Sequence, residues 1–285
     1  MNAFKIKLGL VAASSLTLIL TACPSGTDAG GTTPIPVVTA KYTKLGNVGV
    51  TNTGTLRLIS GTFFKSPNSF AQPVSPTGVA EDTCIVIKSA TPASLPDVST
   101  LIANIEGLDA GPELSLKKGV ETIATLKPES NPIFLKLKFY RSDTSVPISD
   151  TSGASLEIPG ATDGFPATTV TLPNEIAAFT FEPTKGVNKD TAFTWTSPTP
   201  DATVTIVAVS TATDASGAVS SSVYVYCSAK DDGGFSFPAS TKAEMDAKGF
   251  TTSITAFANK GISKFVPKGD ALLIVSSTRS STFIP

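Results

Sequence analysis

The residues whose type and spacing could do chemistry lie close together in the last quarter of the chain. Asp231 and Asp232 are adjacent carboxylates followed by two glycines, and Tyr224 and Tyr226 precede them, two residues apart. Paired carboxylates can hydrolyse a glycosidic bond, and aromatic rings on one face of a strand can stack on sugar rings. These four residues therefore form a candidate ligand surface for a glycan.

Each of these features also has a purely structural explanation. Aspartate followed by glycine forms tight turns without any ligand, whereas Ca²⁺ needs about six to eight oxygen ligands. We therefore predict a turn at Asp231 and Asp232 rather than a metal site. Tyrosines at alternate positions of a strand commonly serve only to cover the surface of the sheet, without binding a ligand. This is the favoured interpretation of Tyr224 and Tyr226.

The composition excludes most catalytic chemistry. The chain contains no histidine, which removes the Ser-His-Asp and Cys-His arrangements and the common zinc, copper and iron sites. The sequence has no phosphate-binding loop and no nucleophile elbow. The net charge is −1, and no run of lysine and arginine offers a face to nucleic acid. We expect no catalytic, cofactor-binding or metal-binding residue, and a protein that is not an enzyme.

The first residues have the layout of an export signal. Lys5 and Lys7 precede an apolar stretch that ends at Leu20. At about 13 residues, this stretch is too short to span a ~30 Å hydrocarbon core as a helix. The tetrapeptide Leu20-Thr21-Ala22-Cys23 then resembles the lipobox of bacterial lipoproteins. An ordinary signal peptide that contains a cysteine is the alternative.

The lipobox resemblance implies how the protein is processed and where it resides. Residues 1–22 would be the signal that is removed, and Cys23 would carry the lipid. The protein would then be anchored to the outer face of the cytoplasmic membrane or to an outer membrane, and Pro24 resembles the residue that directs lipoproteins to the latter. Residues 23–39 are rich in Gly, Thr and Pro and are predicted to be a flexible tether with a reach of ~20 Å.

Cys84 and Cys227 remain as an even pair once Cys23 is lipidated. Cysteines of exported proteins pair in an oxidising compartment, and both of these lie in strand-like runs. We predict a disulfide bond between them, with two buried free thiols as the alternative. Neither thiol is expected to be a nucleophile, because no histidine or obvious cationic partner flanks it.

Short β-like runs separated by turn residues recur along the rest of the chain. Several alternate apolar and polar residues with a period of two, which is typical of a strand with one face on a core. The predicted strands are 47–50, 54–64, 83–88, 113–116, 122–126, 133–140, 154–158, 168–172, 178–182, 192–196, 203–210, 221–228, 235–237, 251–258 and 271–277. Short helices are expected only as connectors on the rim, at 98–105 and after a capping box at 241–244 with Gly249 as the C-cap.

These runs predict an all-β protein with two β-sandwich portions, immunoglobulin- or fibronectin-like, at 40–173 and 174–285. The boundary is predicted near Pro173, and Trp195 is expected at the centre of the second core. The runs 193–198 and 227–238 resemble the C-terminal β domains of uncharacterised bacterial envelope lipoproteins. That resemblance implies a β-sandwich and no known activity.

The favoured hypothesis is a lipid-anchored protein of the cell envelope that acts through its β-sandwich surface as a structural or interaction module. Its expected partners are the membrane, through the lipid, and an envelope protein or glycan, but not nucleic acid. A carbohydrate-binding module or weak glycan hydrolase is one alternative. A carrier of a small apolar ligand is the other, and it would need a cavity that a sequence does not reveal.

Overall fold

The computed structural model describes residues 42–53, 56–70, 79–89, 105–130, 137–143, 148, 150–213, 219–253 and 255–281. The predicted signal, lipobox and tether lie outside these residues, as does nearly all of the helical turn predicted at 98–105. Over the described ranges the protein is mostly β-strand with one short helix, so the predicted all-β class is confirmed.

Sixteen strands are formed in the described residues, because apolar and polar side chains alternate along most of them. The first nine are β1 (Tyr42–Asn52), β2 (Arg57–Phe70), β3 (Thr83–Ser89), β4 (Glu106–Gly107), β5 (Leu114–Lys118), β6 (Glu121–Ser130), β7 (Lys138–Ser142), β8 (Ser155–Ile158) and β9 (Thr168–Thr171). The others are β10 (Phe181–Glu182), β11 (Ala192–Trp195), β12 (Thr203–Thr213), β13 (Val219–Lys230), β14 (Gly234–Ser236), β15 (Thr255–Lys268) and β16 (Ala271–Ser280).

Thirteen of these strands form one sheet in the order β3-β13-β12-β15-β16-β1-β2-β7-β6-β5-β8-β9, with β4 paired to β2 beside this path. Strands β10, β11 and β14 form a second, antiparallel sheet. The large sheet crosses the boundary predicted near Pro173, because β1 pairs in parallel with β16 and β3 pairs with β13. Strands from both predicted portions therefore share one hydrogen-bonded ladder.

One face of the large sheet, the inner face, carries two hydrophobic cores. The first core joins Val48, Phe63 and Leu273 to side chains of β5, β6, β8 and β9, so the sheet curls over its own inner face. The second core packs Val225 and its neighbours against the small sheet and includes Trp195, as expected. The opposite, outer face has a third cluster, around Leu45, Phe64 and Ile274, near β1 and β2.

The single helix of the described residues, α1, spans Ala239–Lys248 and ends at Gly249 in the left-handed conformation, which confirms the predicted C-cap. The predicted capping box at 241–244 is wrong. The helix begins three residues earlier, with Pro238 at the N-cap position and no side-chain cap. Thr241 is buried inside the helix, and Glu244 pairs with Lys248 one turn later. Met245 enters the second core, so α1 is more than a connector on the rim.

A polar clamp fixes the chain just after Pro173. Glu175 receives two hydrogen bonds from Arg57, at 2.6 and 2.9 Å, and two from the backbone and hydroxyl of Thr151, at 2.8 and 3.0 Å. Burial raises the pKa of Glu175, but the hydrogen bonds from Arg57 and Thr151 outweigh it and hold the pKa below its ordinary value. The chain at the predicted boundary is therefore held against β2 by an ionised carboxylate.

Candidate functional site

Tyr224 and Tyr226 lie on the outer face of β13, because alternation turns Val223, Val225 and Cys227 toward the second core. Their ring centroids are 6.3 Å apart and their planes differ by 18°. Both side chains are half-buried. Burial and the neighbouring Tyr224 raise the pKa of Tyr226, so its phenol stays protonated at neutral pH.

Strand register surrounds the two tyrosines with apolar side chains. Tyr226 pairs with Ile85 of β3 on one side and Val207 of β12 on the other, and Tyr224 pairs with Ile87 and Val209 in the same way. Phe257 of β15 lies opposite Val207 and extends the row. We name this two-row surface the outer band; its residues are Ile85, Ile87, Val207, Val209, Tyr224, Tyr226 and Phe257.

The outer band is accessible at its edge and carries no charge. Ile85 and Ile87 are 38% and 39% exposed, which is unusual for isoleucine on a sheet. The rows that flank the band bear hydroxyl and amide side chains; they are Thr83, Ser228, Thr205 and Asn259 on one side and Ser89, Ser222 and Thr211 on the other. Thr255, opposite Val209, ends the second row of the band itself. A charge, Lys230, comes only in the next row, opposite Thr203.

Strand β3, which forms the edge of the outer band, is held in place by three contacts. Cys84 and Cys227 lie opposite each other and are joined by a disulfide bond across a sequence separation of 143 residues, with Cα atoms 4.0 Å apart. Lys248 of α1 donates a hydrogen bond to the carbonyl oxygen of Val86. The backbone N–H of Lys230 donates to Asp82 at 3.0 Å. Ile85 and Ile87 are thereby fixed beside the tyrosines.

The structure places Asp231 in the interior, away from the surface that Tyr224 and Tyr226 form. Its Oδ1 accepts a hydrogen bond from the indole nitrogen of Trp195 at 2.6 Å, and its Oδ2 accepts one from the backbone of Thr199 at 2.7 Å. The Nζ of Lys260 lies 2.9 Å from the same Oδ2, and both side chains of the pair are fully buried. Both carboxylate oxygens are engaged, so Asp231 has none to offer a ligand.

The N–H donors of the Lys260 ammonium all have hydrogen-bond partners as well. Besides Asp231, its ammonium donates to the carbonyls of Ser197 at 2.6 Å and Thr196 at 3.2 Å, and it lies 4.8 Å from the ring centroid of Phe179. Sequence reasoning missed this residue because the predicted strand ended at 258. The signal was present: period-two alternation puts Lys260 on the same face as the buried Ala256 and Ala258.

Asp232 lies at the surface in the turn that its neighbours favour. It is exposed, its carboxylate accepts a hydrogen bond from the backbone of Gly234 at 3.3 Å, and Gly233 adopts a φ of 103°. A residue with a side chain would be strained at that φ, so glycine is required there. Tyr224 and Tyr226 thus share one surface with each other, but Asp231 does not belong to it.

The described residues contain no group of three or more His, Cys, Asp or Glu side chains placed to hold a metal ion. No helix in the same part of the chain is long and apolar enough to cross a membrane. Neither a protein-family model, nor a curated protein, nor a solved structure matches this chain.

Proposed function

We propose that this protein is a lipid-anchored, non-enzymatic component of a bacterial cell envelope that binds another protein through the outer band. The observation that carries the proposal is an uncharged apolar surface in two rows across four strands. Charged residues make up 16% of the chain, yet neither the band nor its flanking rows contain one. Protein interfaces are enriched in aromatic side chains and depleted of Lys, Glu and Asp at their centres.

The aliphatic members of the band favour a protein partner. Ile85, Ile87 and Val209 offer neither a flat ring for a sugar nor a hydrogen bond for its hydroxyls. Side chains of this kind gain free energy by leaving water, at roughly 25 cal/mol per Å² of apolar surface buried. A pleated apolar face is best covered by the side chains of another protein surface.

A glycan is the second candidate partner, and the stacked pair of Tyr224 and Tyr226 favours it. Hydroxyl side chains on both sides of the band would suit a neutral sugar. Asp231 contributes nothing to this role, since it is buried and paired. Glycan binding that disappears in Tyr224→Ala would favour this candidate over a protein partner.

We also infer that residues 174–285 form an immunoglobulin- or fibronectin-like sandwich. In such sandwiches strands A, B and E share one sheet and C, F and G share the other, with C′ added beside C in some members. Here β10, β11 and β14 pair in the order A-B-E, and β13, β12, β15 and β16 pair in the order C′-C-F-G. On this reading the outer band is the solvent face of the C′-C-F sheet, widened by β3.

The lipid anchor in this proposal is supported by the lipobox at residues 20–23. Cys23→Ser is expected to move the protein from the membrane to the soluble fraction almost completely, because several acyl chains give a stable anchor that the unlipidated chain lacks. Fractionation of cells in high salt, followed by immunodetection, measures this. Ser25→Ala, two residues further on, is the control and should stay with the membrane. A Cys23→Ser protein that remains tightly membrane-bound would refute the anchor.

Tyr226→Lys is expected to reduce the yield of crosslinked protein complexes in cells at least tenfold. The substitution buries an unpaired charge at the centre of the interface, and about 1.4 kcal/mol already corresponds to a factor of ten. Ile87→Lys, at an exposed position of the edge strand, tests the same surface with less risk to folding. Val120→Lys, at a fully exposed hairpin tip, is the matched control and should change nothing. Equal yields from all three variants would refute binding through the band.

A further inference from the structure

The sheet face around the outer band stays uncharged well beyond the band itself. Alternation in β15, β16, β1 and β2 places a second set of small or polar side chains on the same outer face; these are Gly261, Ser263, Ser276, Thr278, Asn47, Gly49, Thr51, Ser60 and Thr62. Most of them are partly exposed. Seven adjacent strands, from β3 to β2, therefore present a largely uncharged outer face that runs obliquely across the sheet. Lys230 borders it, since the row of Gly261 and Thr278 begins at that lysine.

We propose that the protein bound at this face is a second copy of the same chain, which packs sheet against sheet about a two-fold axis. This inference rests on the proposed function and names its partner. Two features of the face support self-association: its lack of charge and its size.

The charge of the face suits a two-fold dimer. In an isologous interface the same patch meets itself, so a charged residue near the axis opposes the same charge on the partner. Like charges in contact repel, and a self-complementary surface must keep them away from the axis. A partner of another sequence places no such demand, since a positive patch could meet a negative one. The absence of both signs from the band and its flanking rows meets the demand that a two-fold axis through the band makes.

The size of the face is close to what a dimer needs. Seven strands at about 4.8 Å spacing are roughly 29 Å wide, and four outward positions along each strand cover about 20 Å. The projected area is about 600 Å². The solvent-accessible area is larger, because the protruding side chains make the surface uneven. A stable interface buries about 800 Å² from each partner. The band alone, at four strands, would be too small.

The geometry of the sheet also suits this packing. Two twisted sheets pack face to face about 10 Å apart, with their strands rotated by about 30° and their outward side chains interleaved. The inner face of the same strands already packs in this layered way on β10, β11 and β14. On β1 and β16 the third cluster, with Leu45 and Ile274, borders this face along the strand direction and marks where the dimer contact ends.

The test is the mass of the full chain after mild detergent extraction from its own membrane, measured by sedimentation with the bound detergent subtracted. The wild-type chain is expected at twice the chain mass, and Tyr226→Lys at the single mass under the same conditions. Ile87→Lys should raise the dimer dissociation constant at least tenfold. Val120→Lys should leave it unchanged.

Two differently tagged copies expressed in one cell complete the test. The wild-type copies are expected to purify together, and the Tyr226→Lys copies are not. A single-chain mass combined with capture of a different protein that Tyr226→Lys abolishes would overturn self-association and leave the proposed function standing. A single-chain mass with no captured protein would overturn both. A dimer that Tyr226→Lys leaves intact would place the contact elsewhere and also overturn the inference.

Discussion

Lys260→Met is expected to lower the free energy of unfolding by about 3–5 kcal/mol, the usual cost of removing one partner of a buried ion pair. The substitution leaves the Asp231 carboxylate fully buried, with only Trp195 and Thr199 as donors. It also deprives the carbonyls of Thr196 and Ser197 of their ammonium donor. Denaturation in guanidinium chloride measures this loss. The fluorescence of the single tryptophan reports on the site itself, because Trp195 is hydrogen-bonded to Asp231.

Two further variants separate the buried charge from the lost side chain. Lys260→Met combined with Asp231→Asn removes both charges and keeps an acceptor for the indole N–H of Trp195, so it should be more stable than Lys260→Met alone. Lys264→Met changes an exposed lysine of the same strand and should stay within about 0.5 kcal/mol of the wild-type chain. A loss below about 1 kcal/mol for Lys260→Met would contradict a tightly paired, fully buried Asp231 and Lys260.

Loss of the Cys84–Cys227 bridge is expected to cost about 2–5 kcal/mol. The bridge closes a loop of 143 residues. Closing so long a loop strongly reduces the conformational entropy of the unfolded chain. In the folded chain it ties the edge strand β3 to β13, so β3 should become the most easily opened strand once the bridge is gone. Denaturation of the chain with Cys84→Ala and Cys227→Ala, compared with the reduced wild-type chain, measures the effect.

The reduced wild-type chain keeps both sulfur atoms in the core, so agreement between the two samples assigns the loss to the bridge and not to packing. Cys23→Ser is the control for cysteine substitution as such and should leave the unfolding free energy unchanged. If the reduced chain unfolds at the same denaturant concentration as the oxidised one, the two cysteines are not bridged in the native protein.

The strands were predictable because alternation is a local property of the sequence. Each predicted strand that falls on described residues overlaps an observed one, but the ends differ. Strand β4 was missed because two residues carry no periodic signal. The second half of β15 was missed because Gly261 and Pro267 are typical of turns, whereas here Pro267 lies near the end of the strand. The parallel pairing of β1 with β16 has no local signal, since it joins strands from opposite ends of the chain.

Part of the candidate site was predictable from one pairing. Once Cys84 is placed opposite Cys227, antiparallel register puts Ile85 beside Tyr226 and Ile87 beside Tyr224. The contribution of β12 and β15 depends on long-range strand order and was not predictable. Asp231 illustrates the opposite case. Its position beside Asp232 and two glycines is typical of an exposed turn, but Lys260 and Trp195 hold it inside the second core.

The most direct test of the central claim is photo-crosslinking in living cells with benzoylphenylalanine in place of Tyr226, compared with the same replacement of Val120. A protein crosslinked at position 226 in good yield and not at position 120 is the result that binding through the outer band predicts. Mass spectrometry of the product then distinguishes a second copy of this chain from another envelope protein. Equal labelling at both positions, or products at 226 that contain only lipid or glycan, would contradict a protein-binding role for the band.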